Sequence, residues 1–238
     1  MSEKNRTVVS MLLKLALIIS TTVGVILCST SAMMTPQMNM LFFTTQSNIW
    51  IAVADLVLLI MQLHALKGGK CYLSHNAYLV QQVFTVSITL TGFVYCFVLA
   101  PVFIMGQGPV DTFNPFALPT LLVHVVTPVL AIVDFIGFTR HGEFAKKDCL
   151  WSVLPPLYYI GFSLIGYFKH WNFGMGNNYP YFFLNYGSPA GLFGFSNQMP
   201  YFMGSFYWIL ILAAFVVAVS YLYIFIVNKL TAKYNKKI

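Results

Sequence analysis

The sequence predicts an all-α polytopic membrane protein, one bundle of six transmembrane helices with both termini on the cytoplasmic side, and three observations carry that prediction. Of the 238 residues, 58% are hydrophobic and only 8% charged, with a mean hydropathy of +0.76; soluble domains carry about 25% charged residues. Apolar runs long enough to cross ~30 Å of hydrocarbon, about 20 residues each, can be laid out six times. The basic residues alternate with those runs: every one of the 13 except Lys169 falls on one side of a six-span layout, which the positive-inside rule assigns to the cytoplasm. Helices are required because a lipid-facing backbone satisfies itself only in a helix or a closed barrel, and the runs lack the strict alternation of barrel strands.

The first span covers residues 8–28. It follows Lys4 and Arg6 and contains Lys14, and its apolar run is too long for the core of a cleaved signal peptide, so it is expected to stay in the membrane. The second covers 42–66 and leads into Lys67 and Lys70. The third, 78–103, returns. The fourth, 118–138, ends before Arg140, Lys146 and Lys147; the fifth covers 150–168 and the sixth 202–227, before Lys229, Lys233, Lys236 and Lys237. Only the connection 169–201 is of any length, so residues 1–238 read as a single integral membrane domain. The net charge of +7 sits at the ends of spans, where it meets lipid headgroups, and no nucleic-acid partner is expected. Cys28, Cys71, Cys96 and Cys149 suggest neither a disulfide nor a zinc site. The methionine-rich stretch STSAMMTPQMNM reads as a flexible apolar lid in preference to a Cu(I) pair at Met38 and Met40.

Polar residues inside these spans need partners. Span two opens LFFTTQSNIW. At 100° per residue Thr44, Asn48 and Asp55 form one stripe, whereas Thr45 points about 100° away. His124 lies about two turns into span four, level with Thr44, and Pro128 frees the carbonyl of residue 124 and bends the helix there. Asp55 and Asp134 lie roughly 15 Å deeper, at a level where Lys14 can neutralise Asp134. A hydroxyl and an imidazole at one depth on two helices are the minimum apparatus of nucleophilic acyl transfer.

FFTTQSN in span two, HVVTPVLAIVDF in span four and YPYFFLNY after span five resemble the androgen-induced and androgen-dependent TFPI-regulating protein family of six-span membrane hydrolases, and its bacterial branch most. The resemblance implies a threonine hydrolase that cleaves fatty acid esters of hydroxy fatty acids, with Thr44 and His124 as the catalytic pair, in a bacterial plasma membrane.

On this reading His124 takes the proton of Thr44, whose oxygen attacks the ester carbonyl, and water releases the acyl-threonine. No metal or other cofactor is needed. Asn48 and Ser47 are the expected oxyanion donors, Asp55 and Asp134 the expected polar network, and the aromatic connection after span five reads equally as the lining or cover of the entrance and as an interfacial aromatic belt. A proton- or ion-coupled transporter using Thr44, His124, Asp55, Asp134 and Lys14 as a path is the alternative, and a non-catalytic scaffold the third.

Overall fold

The computed structural model describes residues 3–30, 35–68, 74–106, 114–138, 144–174 and 176–235. Among them are seven helices: α1 (Glu3–Ser29), the short α2 (Pro36–Met40), α3 (Phe43–Leu66), α4 (His75–Ile104), α5 (Leu118–Phe138), α6 (Lys146–Phe168) and α7 (Ser205–Asn235). All but α2 are long and apolar enough to cross a membrane, so the chain is an all-α multi-pass membrane protein. Met33, Met34, Lys70, Cys71, Arg140, Lys236 and Lys237 lie outside the described residues.

The helix starts differ from hydropathy where local chemistry intervenes. Ser74 caps α4, accepting from the Ala77 amide at 3.3 Å, so that helix begins at His75 rather than at 78; a capping hydroxyl is invisible to a hydropathy window. Helix α6 opens at Lys146 with a tight 3₁₀ segment through Val153, because Pro155 and Pro156 lack the amides that would close the α-helical turns before them. Helix α7 begins at Ser205 rather than at 202: Phe195 bridges Met203, and the Gly204 amide donates to the Gly194 carbonyl at 2.9 Å. The Met38–Asn39–Met40 run forms the end of α2, with Thr35 capping it through the Met38 amide at 3.2 Å. Met38 and Met40, two residues apart on a helix, diverge instead of sharing an ion. The described end of this stretch is tied down at Asn39, which donates to Ser29 Oγ at 2.7 Å and accepts from Thr45 Oγ1 at 2.9 Å.

Helices α1, α3, α4 and α5 pack in a ring, α1 and α4 each against both α3 and α5, while α6 and α7 pack on α4 and on each other. Their outer faces present large apolar side chains such as Leu12, Ile19, Ile26, Val53 and Ile60, as lipid contact demands. The ring interior is stratified. One polar layer holds Lys14 and Ser10 of α1, Asp55 of α3, Gln81 of α4 and Asp134 of α5, all buried. Lys14 pairs with Asp134, and Ser10 donates to Asp134 Oδ1 at 2.6 Å, so the neutralisation expected from depth is present. Above it, one residue per helix, Leu17, Ile51, Ile88 and Ala131 form an apolar layer, each no more than 1% exposed. Beyond that lies a second polar level, with Ser20 and Thr127 at 3.0 Å and Ser47 and Thr91 at 2.7 Å, and it contains Thr44 and His124.

Candidate active site

Helix α3 enters the bundle without a cap. Phe42, its extended N-cap residue, offers no side-chain acceptor, and so the first-turn amides, which no intrahelical carbonyl can satisfy, are left to face other groups. The Thr44 amide donates to the Tyr181 hydroxyl at 3.3 Å. Thr44 Oγ1 lies 3.4 Å from the same hydroxyl and 3.3 Å from His124 Nε2. Threonine, imidazole and phenol therefore meet at one point, contributed by α3, α5 and the connection between α6 and α7.

His124 is positioned by a widened turn. Residues Leu122–Val126 form a π-turn followed by Pro128, a local expansion of the helix of a kind frequent at functional sites. His124 Nδ1 lies 2.9 Å from the Thr120 carbonyl. A carbonyl only accepts, so Nδ1 carries the proton and Nε2 presents its lone pair to the Thr44 hydroxyl. The other side of the imidazole stacks on Tyr95, ring centroids 4.0 Å apart and planes 23° apart; Tyr95 begins a second π-turn, Tyr95–Leu99, in α4, and its hydroxyl donates to the Pro115 carbonyl. Two glycines let neighbouring helices press on the histidine turn. A Cβ at Gly92 would stand 2.9 Å from the His124 carbonyl oxygen, and one at Gly24 would stand 2.7 Å from Val123 Cγ1.

Tyr181 is held from above by aromatic packing, stacked on Phe183 at 5.1 Å and edge-on to Phe42 at 5.7 Å. Burial pushes its phenol above the ordinary tyrosine range, and contacts with the Thr44 hydroxyl and the amides of Thr44 and Phe43 offset part of that rise. The phenol is thus a neutral donor lodged against the positive end of a 24-residue helix, and an oxygen that develops negative charge beside Thr44 would be received by both.

Thr44 and Tyr181 also line an apolar cavity of about 140 Å³ between α3, α4, α6 and α7. Leu90, Val94 and Leu99 line it from α4, Pro156, Leu157 and Ile160 from α6, and Leu212, Ala213 and Val216 from α7, with Phe183 and Leu184 at the Tyr181 end. His124 does not line it and meets Thr44 from outside the cavity.

The other candidates sit elsewhere. Thr45 is buried and bonded to Asn39, away from the imidazole, which agrees with the helical phase. The oxyanion role expected for Asn48 and Ser47 does not fit their bonds. Asn48 Nδ2 donates to the Thr44 and Val123 carbonyls at 2.8 and 3.0 Å, and Ser47 Oγ is shared between the Thr44 carbonyl and Thr91. Both brace the first turns of α3 against α4 and α5. Asp55 and Asp134 are joined through Gln81, on the far side of the Leu17–Ile51–Ile88–Ala131 layer, so they belong to a network separate from Thr44. Sequence reasoning missed Tyr181 and Tyr95 as individuals; the dense aromatic run YPYFFLNY was the one signal that pointed to the first. Neither a family model, nor a curated protein, nor a solved structure matches this chain.

Proposed function

We propose that the protein is an intramembrane carboxylic ester hydrolase with Thr44 as nucleophile and His124 as base, acting on lipid esters whose acyl chain occupies the apolar cavity. The observation that carries this reading is the Thr44 Oγ1 to His124 Nε2 contact at the polar end of that cavity. Nε2 takes the Thr44 proton as the oxygen adds to the ester carbonyl, and the tetrahedral oxyanion is met by the Tyr181 hydroxyl and the uncapped amides of α3. Collapse returns the proton from His124 to the departing alcohol and leaves an acyl-threonine; water, giving its proton to the same nitrogen, then frees the acid and restores the hydroxyl. The short likeness to the androgen-induced family supports fatty acid esters of hydroxy fatty acids as substrates, and the likeness to its bacterial branch supports a bacterial plasma membrane. The distribution of basic residues supports cytoplasmic termini, which puts Thr44 toward the outer leaflet.

A proton- or ion-coupled path would run from Thr44 and His124 to Asp55, Asp134 and Lys14. The apolar layer of Leu17, Ile51, Ile88 and Ala131 between the two polar levels weighs against it, since a path needs polar groups or water across that gap. The test is covalent labelling with a fluorophosphonate, followed by mapping of the modified residue. Modification of Thr44, lost in Thr44→Ala and in His124→Ala, is the expected result; modification elsewhere, or none, refutes the nucleophile.

A further inference from the structure

The layer beneath the apolar seal holds two side chains whose bonds are half made. Gln81 Nε2 donates to Asp55 Oδ1 at 3.0 Å and to Asp134 Oδ2 at 3.1 Å, which uses both of its hydrogens. Asp55 Oδ2 and Gln81 Oε1 have no hydrogen-bond partner among the described residues, although Asp55 is 0% and Gln81 1% exposed. Turning the amide over would aim its oxygen at two carboxylates and abandon both bonds, so the orientation is fixed by the network. Buried polar atoms in this number and at this depth are seldom left unmatched.

The two orphans are the second oxygen of the same carboxyl and the oxygen of the same amide. One hydrogen satisfies both. A carboxylic acid and a primary amide form a cyclic pair in which N–H donates to one carboxyl oxygen while the other, protonated, donates back to the amide oxygen. Charge leads to the same place. Lys14 of α1 and Asp134 of α5 neutralise each other, so an ionised Asp55 would leave an uncompensated negative charge inside the membrane, among the costliest arrangements there.

We infer that Asp55 is a proton-binding site, holding its proton on Oδ2 in a cyclic acid–amide pair with Gln81 that clasps α3 to α4. The ligand is the proton itself, and it is held rather than relayed, because the apolar layer separates it from the next polar level. The inference is independent of the hydrolase reading.

Infrared difference spectroscopy of the intact protein in lipid nanodiscs at neutral pH tests it. Wild type should show the carbonyl stretch of a protonated carboxylic acid, displaced when aspartate is ¹³C-labelled at the side-chain carboxyl and absent in Asp55→Asn. Asparagine reproduces the cyclic pair with its own amide, so Asp55→Asn should keep the wild-type Tm, whereas Asp55→Leu, which leaves the Gln81 amide without its partner, should lower it. Absence of that band from wild type, its persistence in Asp55→Asn, or an Asp55→Asn protein that melts as low as Asp55→Leu or does not fold would each overturn the assignment.

Discussion

At the scale of the residue, the proposed hydrolysis gives two adjacent threonines opposite expected outcomes. Thr44→Ala removes the group that meets His124 and should lower ester hydrolysis by roughly 10³-fold or more with Tm nearly unchanged. Thr45→Ala should do the reverse. It deletes a buried bond to Asn39, costs about 1–2 kcal/mol of stability, and leaves turnover of the folded enzyme near wild type; parallel assays of turnover and melting check both. Tyr181→Phe keeps the ring stacked and removes only the donor, so kcat should fall by about 10²-fold with KM little changed. Because burial raises the Tyr181 phenol, its proton is retained to higher pH than usual, and it adds no alkaline loss of activity up to about pH 10, the ordinary tyrosine value. A pH–rate profile from 7 to 10 that falls in wild type but not in Tyr181→Phe would contradict this. The threonine and the histidine were legible because helical phase and depth follow from counting residues. Tyr181 was not, since its position depends on how an aperiodic connection folds onto Phe42 and Phe183, and no count along the chain reports that.

At the scale of the element, the placement of His124 depends on how closely its neighbours approach. Gly92→Ala inserts a methyl 2.9 Å from the His124 carbonyl oxygen and 3.2 Å from Pro128, so α4 must retreat from the turn that aims the imidazole. The expected outcome is a loss of about 1–3 kcal/mol and a drop in kcat larger than the melting shift accounts for. Gly161→Ala in α6, where a Cβ meets nothing within 4 Å, is the control and should be silent in both assays. Pro128 announced a bend at His124 in the sequence; that the bend is a π-turn buttressed by two glycines was hidden, because glycine in an apolar run reads equally as filler.

At the scale of the whole molecule, the ring α1–α3–α4–α5 carries the polar groups, and α6 and α7 complete the cavity. Ala213 lines that cavity from α7. Ala213→Phe should shift preference toward shorter acyl chains while sparing short esters, read as the ratio of kcat/KM across a chain-length series; an unaltered ratio would place the acyl chain elsewhere. A reporter fused after Ile238 should be active only on the cytoplasmic side, as the lone Lys169 opposite all other basic residues predicts. Six spans could be read from hydropathy because lipid imposes length and composition on each helix separately. The pairing of Lys14 with Asp134 followed from depth alone. Which helices border the cavity did not, since that depends on packing between helices whose outer and inner faces are both apolar.

The uncapped start of α3 has a consequence for how such a protein evolves. A serine or aspartate at position 42 is the ordinary way to secure a helix of this length, worth about 1 kcal/mol, and selection for heat resistance alone would find it early. That side chain would occupy the amides that now face Tyr181, and would replace the ring that packs edge-on against it. On the proposed hydrolase reading, robustness and turnover compete for the same few N–H groups, and lineages under thermal selection should gain their stability at other sites while position 42 stays without a hydrogen-bond acceptor.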